Sequence, residues 1–256
     1  MRFLRRWAGV APPRGGSALR LQTRQLDVPS DFPATDYESI QERVTSKFGD
    51  QGRHVRFAGG WSAVCYRFIA MAEYDERFTQ SIKTSGSAPH DQRVRYEQER
   101  DLFGFLSSSC SLVDAFSFGM FAIGALLMPA AFPLTNEQDE EKVTRNQCHN
   151  KFSGAFPGDP FLTTLQLIRS KDRNNDRSKD GDPDWTAFLA ERNFLSHREA
   201  PPRRFQMGDP TQPRAAMVGP NIVLDEQTTS SRRRQIAGLL STLLAASNSF
   251  VQDHAR

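Results

Sequence analysis

From Leu102 to Leu134 the chain carries one formal charge, Asp114. The stretch holds Leu112-Val113, Phe116, Phe118, Met120-Phe121, Ile123 and Leu126-Leu127-Met128. A run this apolar has to leave water, either into lipid or into a protein core. Lipid fits poorly. A central Asp costs about 2.5–3.5 kcal/mol on insertion scales. Four serines between Ser107 and Ser111, together with Gly104, Gly119, Gly124 and Pro129, interrupt the apolar surface. Glu97, Glu99, Arg100 and Asp101 run straight into its start. The expectation is a buried central helix of a bundle, with a membrane span as the reading set aside. The remaining chain can surround it: 256 residues, 38% hydrophobic and with 19 Phe, suffice for one or two domains. Cys65, Cys110 and Cys148 are an odd set with no C-x-x-C, which points to free thiols in a reducing, cytoplasmic setting and not to structural zinc. A net charge of +3 excludes a general polycation, so any nucleic-acid contact must be a local patch. The predominance of arginine among the cations reads as a GC-rich bacterial genome.

Spacing and punctuation place the other elements. Residues 1–35 read as a disordered basic tail, with no acid before Asp27 and with Pro12-Pro13-Arg14-Gly15-Gly16 breaking any helix. A transit peptide or nucleic-acid arm, a loose tail and a start set too far upstream all share that composition. Residues 36–256 read as a single all-α domain. Helices are expected over Asp36–Lys47, Trp61–Lys83, Asp91–Met128, Glu137 to about His149, and Phe161–Ile168. Residues 50–60, 85–89, 151–160 and 201–220 read as connections, and 215–224 as a small β-hairpin. The acid-rich stretch 171–184 fails as an EF-hand. Starting at Asp176 puts Ala187 where a bidentate Glu belongs, and starting at Asp172 puts Arg177 where glycine is needed. Asp182-Pro183 is an N-cap followed by a first-turn proline, opening a helix to about Glu199. Ser230-Ser231 would cap a last helix to about Gln252, striped by Ile236, Leu239, Leu240, Leu243 and Leu244.

The helix opened by Pro183 carries the strongest chemical signal, Arg192-Asn193-Phe194-Leu195-Ser196-His197. At 100° per residue, Arg192 falls inside the apolar arc of Trp185, Phe188, Leu189 and Leu195. Asn193 and His197, four apart, stack on a neighbouring face. An arginine in a core must snorkel or meet an acid. Asp114, the one acid of the apolar helix, is the expected partner, and Ser107, Ser111 and Asp114 share a stripe there. Two polar seams on apolar helices imply one polar pocket between them. Arg145-Asn146-Gln147-Cys148-His149 has one residue fewer between its Arg and His and is set aside. Arg203-Arg204 and Arg232-Arg233-Arg234 are further basic runs, read as solvated faces or as phosphate contacts. No Walker loop, G-x-G-x-x-G or G-x-S-x-G occurs.

Arg-Asn-x-x-x-His on a late helix of an all-helical domain resembles the HEPN superfamily, whose hallmark is an Arg followed after four to six residues by a His. Ser111-Leu112-Val113-Asp114-Ala115-Phe116 and Ala122-Ile123-Gly124-Ala125 resemble the central helix of bacterial HEPN-like proteins. The resemblance covers about residues 61–254. It implies metal-independent endoribonuclease activity at the cleft of a homodimer, without cofactor, in a defence, toxin or stress setting where an antitoxin is a fitting partner. The chemistry agrees with the residues. A His titrating near neutrality can serve as base or acid, and a fixed Arg can stabilise the phosphorane. In this reading Arg192, Asn193 and His197 are catalytic. Asp114, Ser111, Glu99 and Arg100 support them, and Arg198, Arg203 and Arg204 hold RNA. The competing reading is a non-catalytic module that binds RNA, a nucleotide or a protein through the same pocket.

Overall fold

The computed structural model describes residues 26–170, 182–197, 203–206, 214–217 and 222–255. In it the apolar stretch forms most of α3 (Gln92–Leu127), a helix started by the Asp91 carboxylate, which accepts from the Arg93 N–H at 2.7 Å. α3 has the length and apolarity to cross a bilayer, yet 72% of its most apolar window is buried within the protein. It packs along α2 (His54–Ser85) and also touches α5 (Arg145–Ala155), α7 (Pro183–His197) and α8 (Ser230–His254). The other described helices are α1 (Ala34–Phe48), α4 (Glu137–Lys142) and α6 (Phe161–Gln166). The fold is an all-α bundle carrying one small antiparallel sheet.

Glycine lets α2 and α3 approach closely. A Cβ on Gly119 would lie 2.8 Å from the Trp61 ring, and one on Gly104 would lie 2.5 Å from Tyr74. The glycines that count against a membrane span are therefore seats for aromatic rings. Trp61 is held on every side. It stacks on Tyr37 at 5.3 Å and on Phe57 at 5.5 Å. Its indole N–H donates to the Tyr37 carbonyl, while the Tyr37 hydroxyl donates to the Trp61 carbonyl.

Several local expectations are corrected. Residues 1–25 lie outside the described residues, but Phe32 does not belong to a loose tail. Its ring is buried against Tyr37 and Phe68, at 5.2 Å from each, so ordered chain begins before residue 36. Gly59 and Gly60 lie within α2 and not in a connection, because Phe57 and Trp61 anchor that turn in the core. The helix expected from Glu137 is two helices. The Thr144 hydroxyl accepts from the Gln147 N–H at 3.1 Å and starts α5 afresh, and α5 continues through residues expected to be loop. α8 begins at Ser230, but no Ser230 or Ser231 cap bond forms. The chain is turned before it by Thr228, whose hydroxyl accepts from the Asp225 N–H at 2.7 Å. The 171–181 stretch lies outside the described residues.

The hairpin forms between β2 (Arg214–Met217) and β3 (Val223–Leu224), with Ala215 opposite Leu224. A third strand, β1 (Arg203–Gln206), pairs with β2 where the sequence pattern reads as loop, giving the order β1-β2-β3. Its pairing has a side-chain cause. Arg203, 3% exposed, donates to the Ser87 carbonyl at 2.9 Å, to Gln98 Oε1 at 2.7 Å and to the Arg95 carbonyl at 3.3 Å. The Ala215 N–H donates to Ser87 Oγ at 3.0 Å. The sheet is thereby stapled over the turn between α2 and α3.

Candidate functional site

Polar residues of the two seams do meet, with partners that differ from the expectation: Arg192 acts on Cys110, and Asp114 pairs with Arg145. α7 is set by its cap. The Asp182 carboxylate accepts from the Trp185 N–H at 3.2 Å, and the Trp185 indole N–H donates to the Ile168 carbonyl at 3.1 Å. This orientation buries Trp185, Phe188 and Leu189 and turns Arg192, half-buried, toward α3. There the Arg192 guanidinium pulls the pKa of the Cys110 thiol down. It forms no ion pair among the described residues, and its Nε is buried without a partner.

Asp114 does not pair with Arg192. Its Oδ1 accepts from Arg145 Nε at 3.2 Å. Arg145 is the first residue of α5, and its guanidinium also covers the face of Trp185 at 5.3 Å. The reason is reach. Asp114 is exposed and lies one turn beyond Cys110, on the side of α3 that α5 crosses, while Arg192 comes in at Cys110 itself. Arg145 Nη1 is buried with no partner. Burial pushes the Cys110 thiol pKa up, against the pull of Arg192 and Arg145, so the thiol does not offset their charge. The site thus gathers two guanidiniums, one carboxylate and one neutral thiol, with half-buried Ser111 beside it on α3.

The remaining expected residues are distributed elsewhere. Asn193 is exposed on α7. His197 ends α7, one turn along the same face, and its side chain lies outside the described residues, as do Arg198 and the side chain of Arg204. Glu99 and Arg100 stand apart from Asp114. They lie about 21 Å along α3 from Asp114 at 1.5 Å rise per residue. Glu99 faces Arg95 at 3.0 Å and Arg203 at 3.4 Å, and Arg100 holds Asp101 at 2.7 Å. Arg203 is buried as the staple under the sheet, donating to Ser87, Gln98 and Arg95. The Arg232-Arg233-Arg234 run is also committed internally. Arg232 makes a fork on Glu191 at 2.7 and 2.9 Å, Arg233 a fork on Asp31 at 2.8 and 2.9 Å, and Arg234 meets Gln227 and Ser231.

Arg145 belongs to the motif with the shorter spacing. A helix starting at Thr144 was its available signal, because that start puts Arg145 and His149 on one face. The His149 Nδ1 is buried without a partner, and burial followed by the neighbouring Arg169 lowers the pKa of its ring. Arg169 is itself buried. Among the described residues its guanidinium reaches Gln166 Oε1, at 3.2 Å, and its Nε is unpartnered. Asn146 takes no part in this chemistry, since its amide holds the Ser170 backbone, accepting from the N–H at 2.9 Å. On the other side of Trp185, a cleft of about 260 Å³ between α7 and α8 is lined by Phe188, Ile236 and Leu239. Among the described residues no three His, Cys, Asp or Glu side chains converge as metal ligands.

Comparison with protein-family models, with curated proteins and with solved structures finds no match to this chain.

Proposed function

We propose that this bundle is a metal-independent endoribonuclease of HEPN type, acting in the cytoplasm in a defence or stress response. One observation carries the reading. Arg192 brings a guanidinium to the α3–α7 seam, where no described carboxylate pairs with it and its Nε has no partner. A cation kept half-buried without a counter-charge costs the fold energy, and an incoming phosphate recovers it. Cleavage then requires the ribose 2′-oxygen to bond to phosphorus as the bond from phosphorus to the 5′-oxygen breaks. His197 takes the 2′-hydroxyl proton, and a second protonated imidazole gives one to the leaving oxygen. A twofold dimer supplies that second His197. Arg192 stabilises the phosphorane, and Asn193 orients the reacting phosphate or the ring.

The test is cleavage of RNA in EDTA by wild type, Arg192→Ala and His197→Ala. Each substitution should lower the rate by about 100-fold or more. Hydrolysis that persists in both removes the assignment. A second reading, a module that binds RNA without cutting it, is favoured by the Asp114–Arg145 pair, which commits to Arg145 the carboxylate expected to support Arg192. RNA binding by wild type without cleavage, in monomer and dimer alike, selects that reading.

A further inference from the structure

The cleft between α7 and α8 measures about 260 Å³, and the fork of Arg232 on Glu191 ties the two helices together beyond it. Its floor is apolar, with Trp185, Phe188 and Ile236 buried and Leu239 partly so. The volume falls below the range of about 300–1,000 Å³ that holds a drug-sized ligand, and suits one or two large side chains. Gly238 stands in the middle of α8 on this cleft. A Cβ added there meets nothing within 4 Å, so no neighbour in the fold requires glycine. A mid-helix glycine costs about 1 kcal/mol relative to alanine, and what it supplies here is width. The described lining contains one carboxylate, Asp182, and no lysine or arginine. Charge and shape together therefore suit a basic segment that carries bulky apolar side chains.

We propose that the α7–α8 cleft is the docking site for the N-terminal segment of this same chain, with Phe3 and Trp7 seated over Gly238 and the flanking arginines toward Asp182. Of the parts of the chain outside the described residues, 1–25 alone contains aromatic side chains, Phe3 and Trp7. They stand four apart, one helical turn, with Leu4 beside them, Arg2, Arg5 and Arg6 around them and no acid before Asp27. The chain also arrives at the right helix. Asp31 forks onto Arg233 of α8, two residues before Gln235 on the cleft rim. At about 3.3 Å per residue, residues 8–30 reach well past the diameter of one helix, about 10–12 Å. The tether makes docking intramolecular, so a small contact suffices. Docking braces α7 at the end away from its fork with α8. Nothing in this assignment depends on RNA cleavage.

The full chain decides it by fluorine NMR, with 5-fluorotryptophan at Trp7, Trp61 and Trp185 and a nitroxide attached through Ala245→Cys. Ala245 is exposed one turn beyond Thr242 on α8, and the three native cysteines are buried, so the label goes to the introduced thiol. The Trp7 resonance should be broadened severalfold relative to the sample reduced with ascorbate, alongside that of Trp185 on the cleft floor. Gly238→Leu fills the cleft and should restore the Trp7 resonance. Leucine favours the helix over glycine and points into open space, so Trp61 in the core should keep its own resonance. A Trp7 resonance untouched by the nitroxide, or broadening that survives Gly238→Leu, overturns the proposal. Mixing fluorinated chains with separately spin-labelled ones tests the occupant. Broadening in the mixture as strong as within one doubly labelled chain identifies a second copy and overturns docking in cis; its loss in the mixture supports docking in cis. If Gly238→Leu shifts the Trp61 resonance as well, Trp7→Ser decides, because residue 7 is not part of the described core. Hydrogen exchange of the α7 amides should then quicken severalfold, and unchanged exchange overturns the proposal.

Discussion

Arg203 and Arg192 are both buried or half-buried arginines, and they differ in what their donors meet. Arg203 donates to three acceptors near the turn between α2 and α3 and faces the Glu99 carboxylate at 3.4 Å, though its Nε makes no hydrogen bond. Burial lowers its pKa against the opposing pull of Glu99, so the fold bears the cost of that charge by surrounding it with oxygen. Truncation leaves those acceptors without donors. Arg203→Ala should therefore lower unfolding stability by about 3 kcal/mol or more, measured by urea denaturation. A loss under about 1 kcal/mol, the worth of a surface pair, would show that the staple is dispensable. The composition of Arg203-Arg204 carries none of this. A basic dipeptide looks the same whether its guanidiniums face solvent or Gln98, and the difference arises from a contact more than a hundred residues away in sequence. Arg192, by contrast, is legible. Its place inside an apolar arc follows from helical spacing alone, and the structure does turn it toward α3.

At the scale of the element, the α2–α3 pair rests on small residues opposite large rings. Two of these glycines differ in what surrounds the ring they face. Gly119 meets Trp61, locked by Tyr37 and Phe57, whereas Gly60 meets the Phe118 ring at 2.6 Å, and Phe118 is only partly buried and free to give way. Gly119→Ala should therefore cost about 1–3 kcal/mol, and Gly60→Ala markedly less. Thermal unfolding of the two variants checks the order, and equal losses would contradict the account. The elements themselves were mostly readable, because caps and periodicity are local. Asp91 and Asp182 each accept from an N–H two or three residues ahead. The split between α4 and α5 was missed because an acidic run followed by polar residues has no apolar phase to break. β1 was missed because a four-residue strand of Arg-Arg-Phe-Gln has too little alternation to stand out.

For the molecule as a whole, acid sensitivity follows from two histidines whose imidazole pKa the fold lowers. Burial does so for His54, and burial followed by Arg169 does so for His149. A lowered pKa means the unfolded chain takes up the proton first. Stability is complete above the ordinary imidazole value of about 6.5 and declines as pH falls from there toward the folded-state values. His149→Gln removes one contribution, so its urea midpoint should fall less than that of wild type between about pH 7 and pH 5. An equal or steeper fall would contradict this account.

The amino-acid order alone determined that this chain is helical, that its most apolar helix is buried at the centre, and that Arg192 sits within an apolar arc turned toward that helix. These are matters of spacing, and spacing acts over a few residues. Which acid meets which arginine was settled only when the helices crossed. Asp114 faces α5 and takes Arg145, Arg192 arrives a turn earlier and meets a thiol, and Arg203 closes over the turn between α2 and α3. Hydrogen bonds and ion pairs act over 3 to 4 Å, so a rotation of one helix by a fraction of a turn changes every partner while leaving its periodicity untouched.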